Sequence, residues 1–274
     1  MQYVVTGRRI RVTMTCDQSA DKTTVEPLTK LLEPESIAIV GASTDETKRG
    51  YMAIESLTTS DYQGDVYPVN PKYDTDIRGR KVYESVSAIP DKVDLALITT
   101  PAAVVPSVLE DCGNAGVSGA VVIAAGFSEI GESELESSLL DVVDEHGIRL
   151  VGPNTQGLQD PVNGIPLMGG YELPAGDVAV VSQSGGVVLD LDSVMRWRET
   201  VGASYVVGCG NETDIGFHEY LQQFDNHDAT DVIFFHAEEM KDGRKFLQEA
   251  SRVSRRKPIV VQRGGRTKQG KESS

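Results

Sequence analysis

The residues of this chain best suited to chemistry lie in short segments that directly follow apolar runs. One such segment is Val181-Ser-Gln-Ser-Gly-Gly186, which ends the run DVAVVS (177–182) and precedes a helical pattern. Hydroxyl groups, glycines and the free N–H groups at the start of a helix are suited to holding a phosphate. The serines are not in a G-x-S-x-G pattern, so a hydrolase nucleophile is not indicated.

A second segment, Gly41-Ala-Ser-Thr44, follows the apolar run SIAIV (36–40), and Gly50 opens the next helical pattern. It can bring backbone N–H groups to a phosphate, although a plain tight turn explains it as well. It is not the G-x-G-x-x-G fingerprint, and Lys72 stands where a dinucleotide enzyme carries an acidic residue. A nicotinamide-dependent oxidoreductase is therefore disfavoured.

Three further segments follow apolar runs and present small residues or an amide. They contain Thr100 and Pro101, then Ala124 and Ala125, and lastly Asn154 within Gly152-Pro-Asn-Thr-Gln-Gly157. Small residues leave room for a flat ring or a thin chain to approach the backbone. Because open parallel sheets bind ligands beyond the carboxyl ends of their strands, these segments are candidate contacts.

The elements that would position these segments alternate between strand and helix patterns. The runs are apolar almost throughout, as strands buried on both faces of a parallel sheet are. We therefore predict an α/β protein with two tandem, open, doubly wound parallel sheets. The segment 158–176 is rich in Gly, Pro and Asn and has no helix or strand periodicity, so we predict a boundary there between the two strand–helix domains. The predicted organisation is a flexible extension over 1–26, a domain over 27–157, a linker over 158–176 and a domain over 177–274.

Composition restricts the partners of the chain. The net charge is −15 over 274 residues, which disfavours nucleic acid as a partner and suits a protein kept soluble in concentrated salt, so we expect a halophilic source. No apolar stretch approaches the roughly 20 residues that cross a bilayer, so no membrane association is expected. Three widely spaced cysteines indicate reduced thiols without metal-ligand spacing, and we expect a cytoplasmic protein that holds no metal itself.

The motifs SIAIVGAS, YPVNPK, VDLALITTP, GAVVIAAGFSE, GIRLVGPN, VAVVSQSGG, GNETD and KDGRKF occur in this order over residues 28–274. As an ordered set they resemble the ADP-forming acyl-CoA synthetases, relatives of the succinyl-CoA synthetase α subunit. The resemblance implies a Rossmann-like CoA-binding domain and then a flavodoxin-like ligase domain. It also implies conversion of acyl-CoA, ADP and phosphate into acid, CoA and ATP through an acyl phosphate and a phosphohistidine.

The resemblance also implies roles for individual residues. Ser43 and Thr44 hold CoA phosphates, Lys72 adds a positive contact, and Ile123, Ala124 and Ala125 line the CoA groove. Ser184 and Gly185 stabilise the phosphohistidine, whose imidazole Glu238 orients. The full set of expected CoA contacts is Gly41, Ala42, Ser43, Thr44, Lys72, Thr100, Pro101, Ile123, Ala124, Ala125 and Asn154. The implied partner is an ATP-grasp subunit or domain that binds ATP or ADP with Mg²⁺, and we expect an oligomer.

Two departures from the family pattern concern the phosphoryl site. Glu239 replaces the glycine that follows the orienting glutamate, which adds a negative charge. The family's phosphorylated histidine follows a GRT-x-x-G segment within S-H-T-G, and the sequence reaches Ser274 before it. His236 is interpreted as a wall of the pocket, and the other histidines, His146, His218 and His227, as surface residues.

Two functions therefore remain open for the chain. It is expected to be the CoA-binding α part of a synthetase that is inactive by itself, or a stand-alone CoA-binding or regulatory module without ligase activity. The acid that the enzyme uses is not indicated, since Thr155 and Gln156 replace the Cys-Leu pair often found after GPN.

Overall fold

The computed structural model of this chain describes residues 3–4, 28–168, 172–198 and 201–264. These residues form two open sheets with helices packed against them. The predicted α/β fold with two parallel-dominated sheets is confirmed. The prediction of a flexible extension over 1–26 lies outside the described residues, except for β1 (Tyr3–Val4). Among the described residues, no helix has the length and apolar character that crossing a bilayer requires.

The first sheet has five parallel strands in the order β3-β2-β4-β5-β6. Strands β2, β4 and β5 are buried at every position, which explains their uninterrupted apolar sequences. The strands are β2 (Ser36–Val40), β3 (Asp65–Val69), β4 (Leu95–Ile98), β5 (Gly119–Val122) and β6 (Arg149–Val151). The helices are α1 (Thr29–Leu32), α2 (Arg49–Thr59), α3 (Val105–Asn114) and α4 (Ser133–His146).

The second sheet has seven strands in the order β1-β12-β11-β9-β10-β7-β8. Its four central strands are parallel, and antiparallel strands lie at both edges. The strands are β7 (Leu158–Asp160), β8 (Ile165–Leu167), β9 (Ala175–Ser182), β10 (Ala203–Gly208), β11 (Val232–Ala237) and β12 (Ile259–Arg263). The helices are α5 (Gly185–Arg198), α6 (Phe217–Asp225) and α7 (Gly243–Val253).

The segment 158–176, which we predicted as a linker, differs from that prediction. It contains the hairpin β7–β8, and β7 pairs with β10 at the edge of the second sheet. Polar residues hide this hairpin in the sequence. The Asp160 carboxylate accepts hydrogen bonds from the N–H groups of Val162 and Asn163, at 3.0 and 2.9 Å, and so closes the turn while fully buried.

The two halves of the chain share an apolar core and a largely buried ion cluster. One apolar cluster includes Leu31 and Leu95 from the first half of the chain together with Tyr205 and Phe217 from the second. The Arg149 guanidinium contacts the Asp214 carboxylate at 3.0 Å and the Glu219 carboxylate at 2.8 Å. These contacts join β6 of the first sheet to Asp214, in the segment before α6, and to Glu219, on α6 itself.

Candidate functional site

Each sheet has a topological switch point, which is a strand whose next strand in the sequence pairs on one side and whose following strand pairs on the other side. In the first sheet β2 lies between β3 and β4, and in the second β9 lies between β10 and β11. Ligands of open α/β sheets bind at such points. The predicted segment Gly41–Thr44 follows β2, and Thr100 and Pro101 follow β4. Ser184 and Gly185 follow β9, and Glu238 follows β11.

Glycines allow a close approach of backbone at the first switch point. Gly41 has φ +92°, and a Cβ added there would lie 2.6 Å from the Thr99 hydroxyl oxygen. A Cβ on Gly50 would lie 2.2 Å from the Gly41 carbonyl oxygen. The start of α2 therefore lies directly against the loop after β2, which only glycine at both positions permits.

The two hydroxyl residues of this loop differ in their surroundings. Ser43 is buried, and its Oγ accepts a hydrogen bond from the Asp45 N–H at 3.0 Å and lies 3.4 Å from the Tyr73 hydroxyl. Thr44 is exposed. Both hydroxyls also hydrogen-bond to Tyr73, so the two residues differ in exposure and not in having a partner.

Lys72 lies beyond β3, in a turn tied to the same loop. The Asn70 side chain donates to the buried Ala42 carbonyl at 2.7 Å and accepts from the Lys72 N–H at 3.0 Å. The Lys72 side chain is exposed. Its backbone is therefore fixed next to the first switch point, while its ammonium group is free to reorient.

The Thr100 hydroxyl is the clearest sign that this switch point is built for a ligand. Its Oγ1 is buried and has no hydrogen-bond partner among the described residues. Pro101, the next residue, is exposed. A buried hydroxyl without a partner is costly, and a bound polar group would satisfy it. The first switch point therefore fits a ligand with hydrogen-bonding groups.

The remaining predicted contacts line the neighbouring strand ends. Ile123 and Ala124 are half-buried after β5, and Ala125 is exposed. The Ala124 carbonyl accepts from the Asn154 N–H at 2.8 Å. The Asn154 side chain donates to the Asn211 side-chain oxygen at 3.3 Å, toward the second sheet. Asn154 thus joins the two halves, whereas the three apolar residues follow β5, one strand beyond β4 from the first switch point.

The N-terminus of α5 lies against the first half of the chain. A Cβ on Gly185 would lie 2.9 Å from Cγ of Gln156, in the loop after β6. Arg49 Nη2 donates to the Gln156 side-chain oxygen at 3.3 Å. The Ser184 N–H donates to the Ser182 hydroxyl at 3.2 Å, which shapes the turn into α5. Arg49 was not predicted from the sequence, because an exposed arginine at a helix start carries no distinctive pattern.

Gln183 is a second residue that the sequence did not predict, and it connects the loops of the second switch point. Its side-chain oxygen accepts from the N–H groups of Glu238 and Glu239, at 2.7 and 3.0 Å. Its side-chain nitrogen donates to the Glu212 carboxylate at 2.6 Å. Burial raises the pKa of Glu212 to about 7. The segment that carries Ser184 and the segment that carries Glu238 are thus joined through one amide.

His236 lies on β11, two residues before Glu238. It is buried, and its Nδ1 has no hydrogen-bond partner within the described part of the chain. Burial lowers the pKa of His236, and the nearby Glu238 carboxylate opposes that effect. A Cβ on Gly264 would lie 3.2 Å from His236 Nε2 and 3.5 Å from Glu238 Cγ. The chain that leaves β12 therefore passes directly beside Glu238.

The other histidines lie elsewhere. The His146 imidazole contacts Glu110 at 3.3 Å, and His227 Nδ1 lies 2.8 Å from the Thr230 hydroxyl. His218 was predicted at the surface, and this is wrong: it is 8% exposed, because α6 packs its first turn into the core. Within the described ranges, His, Cys, Asp and Glu side chains do not gather in groups of three or more that could hold a metal ion.

Comparison with protein families gives a match in each half of the chain. Residues 35–161 match a CoA binding domain, and residues 175–274 match a succinyl-CoA ligase-like flavodoxin domain. The chain is 39% identical, over 90% of its length and 54% of the relative's, to the α subunit of acetate–CoA ligase (ADP-forming) I from Pyrococcus furiosus. It is 40% identical to acetate–CoA ligase (ADP-forming) from Methanocaldococcus jannaschii, over 88% of this chain and 34% of that protein.

A solved structure gives the same result. The dinucleotide-forming acetyl-coenzyme A synthetase 1 of Ca. Korarchaeum cryptofilum, in complex with phosphate and ADP, superposes with a TM-score of 0.84 and 39% identity. The match covers 90% of this chain and 53% of that one. The chain thus spans about a third to a half of the length of these relatives. It belongs to the ADP-forming acyl-CoA synthetase family, of which it carries the CoA-binding and the succinyl-CoA ligase-like domains.

Proposed function

We propose that the chain is the CoA-binding and phosphohistidine-stabilising part of an ADP-forming acyl-CoA synthetase. This enzyme converts acyl-CoA, ADP and phosphate into a free acid, CoA and ATP. The observation that carries the proposal is the contact between the two halves of the chain, where Gln156 of the first packs on Gly185 of the second. This contact supports a CoA site and a phosphoryl site on adjoining loops.

The proposed CoA site uses the loops of the first sheet. Backbone at Gly41 and Ala42, with the hydroxyls of Ser43 and Thr44, receives phosphates, and both hydroxyls also lie within hydrogen-bonding reach of Tyr73. Lys72 supplies a mobile positive charge. The unpartnered Thr100 hydroxyl takes a polar group of the ligand, next to Pro101. The proposed CoA groove continues along the loops after β5 and β6, where its contacts are Ile123, Ala124, Ala125 and Asn154.

The proposed reaction begins with attack of phosphate on the acyl-CoA carbonyl. The carbon–sulfur bond breaks, CoA leaves as a thiol and an acyl phosphate forms. An imidazole nitrogen then attacks phosphorus, the carboxylic acid leaves and the histidine holds the phosphoryl group, which ADP later accepts. The N–H groups and dipole of α5 at Ser184 and Gly185 stabilise the negative charge. The Glu238 carboxylate accepts the other imidazole N–H and so orients the nucleophile.

We do not assign the phosphoryl group to any of the four histidines in the chain. His146 and His227 contact Glu110 and Thr230, and His218 is buried in the first turn of α6. His236 is fixed on a strand, so it has little reach toward a second active site. The proposed nucleophile is instead a histidine of the family's S-H-T-G segment. Gly264 supports this, because the chain leaving β12 starts beside Glu238.

ATP or ADP and Mg²⁺ are proposed to bind to an ATP-grasp subunit or domain that works with this chain. A relative supports a partner, since the Pyrococcus furiosus protein is named as an α subunit. An oligomer follows from that arrangement. We further propose a cytoplasmic setting, because Cys112 and Cys209 are free and buried in the described part of the chain.

We also propose that the chain works in concentrated salt. Its 41 acidic against 26 basic residues give a self-repulsion that salt screens. The melting temperature should rise between low and molar KCl. An unchanged or falling melting temperature would remove this proposal without affecting the CoA site.

The phosphoryl proposal is tested with acyl phosphate or labelled ATP and the ATP-grasp partner. We expect the 274 residues to take up no stable label and expect uptake once an S-H-T-G segment is appended, with a label that is acid-labile and base-stable. A label that the 274 residues take up and that His236→Ala abolishes would contradict the assignment. CoA binding without any uptake in the extended chain would favour a stand-alone binding module.

A further inference from the structure

Gln183 lies between the two strand ends of the second switch point and bonds to both. It follows β9 directly, and its backbone N–H donates to the His236 carbonyl at 3.2 Å. Its side-chain oxygen accepts from Glu238 N–H at 2.7 Å and from Glu239 N–H at 3.0 Å. One side chain thus fixes the backbone that carries the Glu238 carboxylate relative to the first residues of α5.

This arrangement works in only one orientation of the Gln183 amide. A backbone N–H can only donate, so the amide oxygen must face Glu238 and Glu239 and the amide nitrogen must face away. On that other side, Nε2 donates to Glu212 Oε2 at 2.6 Å. An ionised carboxylate is an acceptor only, so Glu212 selects the orientation that the two N–H groups require.

Glu212 is itself held firmly. It is 4% exposed and adopts a left-handed backbone conformation with φ +50°. Its Oε1 accepts from the Phe217 N–H at 3.3 Å, at the start of α6. The Lys241 ammonium donates to the backbone carbonyls of Asn211 and Glu212, at 3.0 and 2.8 Å. A buried non-glycine residue held in this conformation indicates a requirement for the position of its side chain.

We propose that Gln183 and Glu212 are positioning residues of the phosphohistidine site: Glu212 orients the Gln183 amide, and Gln183 holds Glu238 in register with the N-terminus of α5. The inference rests on the proposed function, in which Glu238 orients the imidazole. It adds two residues that act through Glu238 and touch no reacting atom.

The charges around Glu212 make this brace, the pair of Gln183 and Glu212, sensitive to pH. Burial raises the pKa of Glu212, against the Phe217 N–H, Lys241 and Gln183, while Asp242 raises it further. Cys209, Tyr220, Glu219 and Glu238 are further titratable groups near this cluster. When Glu212 takes up a proton, its carboxyl group carries an O–H donor. This donor can then face the Gln183 Nε2 or the Phe217 N–H, which are donors as well, so one of the two hydrogen bonds is lost. The brace should therefore weaken as the pH falls through about 7.

The test exchanges the two chemical groups. Gln183→Glu places two carboxylates against each other, whereas Glu212→Gln keeps a neutral pair. The double variant, which combines Gln183→Glu with Glu212→Gln, rebuilds every bond in the central pair. Its carboxylate at position 183 accepts both N–H groups, and its amide at position 212 donates to that carboxylate. Gln183→Ala removes the brace. Each is made in the full chain, and hydrogen exchange of the Glu238 and Glu239 N–H groups is measured by NMR.

We expect Gln183→Ala and Gln183→Glu to speed exchange of these two N–H groups about tenfold or more, the equivalent of one lost hydrogen bond. The double variant should return to within about twofold to threefold of the original rate. Unchanged exchange in Gln183→Ala, or a double variant no better than Gln183→Glu, would overturn the brace. CoA affinity, measured on the same proteins, should stay constant.

A second readout uses the extended synthetase with its ATP-grasp partner and labelled ATP. Phosphoryl uptake in the unsubstituted enzyme should decline between about pH 8 and pH 6 more steeply than in Glu212→Gln, and the double variant should recover about tenfold over Gln183→Glu. A parallel pH dependence in both would contradict the role of Glu212. If the unsubstituted enzyme takes up no label or binds no CoA, the proposed function fails, while hydrogen exchange still decides whether the brace exists.

Discussion

The two switch points of this protein have the same strand arrangement but are held in different ways. At the first, glycines let backbone approach backbone, as where Gly50 lies against the Gly41 carbonyl. A hydroxyl there, that of Thr100, is left without a described partner. At the second, the side chains of Gln183 and Glu212 join three loops through hydrogen bonds. One fold thus carries an open site and a braced one.

The difference fits the ligands that we propose. A long ligand such as CoA needs spare hydrogen-bonding groups, and the buried Thr100 hydroxyl, which has no partner among the described residues, is one of them. A phosphoryl group that moves between acceptors needs donors and a carboxylate held in fixed relative positions. The second switch point supplies this rigidity through an amide that cannot rotate without losing its partners.

The largest expected effect on stability comes from breaking the ion cluster that joins the half of the chain with the first switch point to the half with the second. Arg149→Ala leaves the Asp214 and Glu219 carboxylates, only 16% and 8% exposed, without their cation. We expect the free energy of unfolding to fall by roughly 3–5 kcal/mol. Lys245→Ala, which removes an exposed pair with Asp242, is the control and should change it by less than about 0.5 kcal/mol. Equal effects in urea unfolding would contradict a coupling role for Arg149.

The braced region should show its own pH dependence of stability. Glu212 has a pKa of about 7 in the folded chain, above the ordinary 4.5, so the folded state binds this proton more tightly. The contribution of this proton binding to the free energy of unfolding is fully present below pH 4.5 and is lost as the pH rises through 7. Glu212→Gln should therefore gain roughly 2–3 kcal/mol relative to the original chain between about pH 5 and pH 8. An unchanged difference would show that Glu212 has an ordinary pKa.

Substitution of a glycine should have a different effect at each switch point. Gly50→Ala forces a Cβ to within 2.2 Å of the Gly41 carbonyl, so α2 must move, at roughly 1–3 kcal/mol, and CoA binding should weaken. Gly186→Ala, in α5, meets only the Ser184 hydroxyl at 3.8 Å. It should be neutral or stabilise by up to about 1 kcal/mol. Thermal melting and CoA titration compare the two, and a tolerated Gly50→Ala would refute the close packing.

The smallest effect is expected at Lys72. Since its side chain is exposed, Lys72→Ala should weaken CoA by only about twofold to fivefold, less than a buried contact would. The loss should shrink with dephospho-CoA if the lysine meets the 3′-phosphate. Lys245→Ala serves as the control for charge. A loss that is equal for both ligands would place Lys72 elsewhere on CoA.

The sequence predicted the strands and the loops that follow them, because uninterrupted apolar runs such as Ser36–Val40 leave few other structures. It did not predict the β7–β8 hairpin, since the buried Gln159 and Asp160 look like loop residues and find their partners only in the folded chain. It also missed Gln183, whose side chain bonds to N–H groups 55 and 56 residues away. A hydrogen bond to a backbone N–H group cannot be predicted from the sequence, because nearly every residue carries that group whatever its side chain.

The measurement that tests the proposed function most directly is calorimetric titration of the chain with CoA, NAD and ADP under identical salt conditions. We predict that CoA binds at least about tenfold more tightly than NAD, a difference of about 1.4 kcal/mol, because Lys72 and the loop after β2 suit the 3′-phosphorylated adenosine of CoA, and NAD lacks that 3′-phosphate. ADP should bind weakly in the absence of the partner. NAD affinity equal to or greater than that of CoA would contradict the central claim.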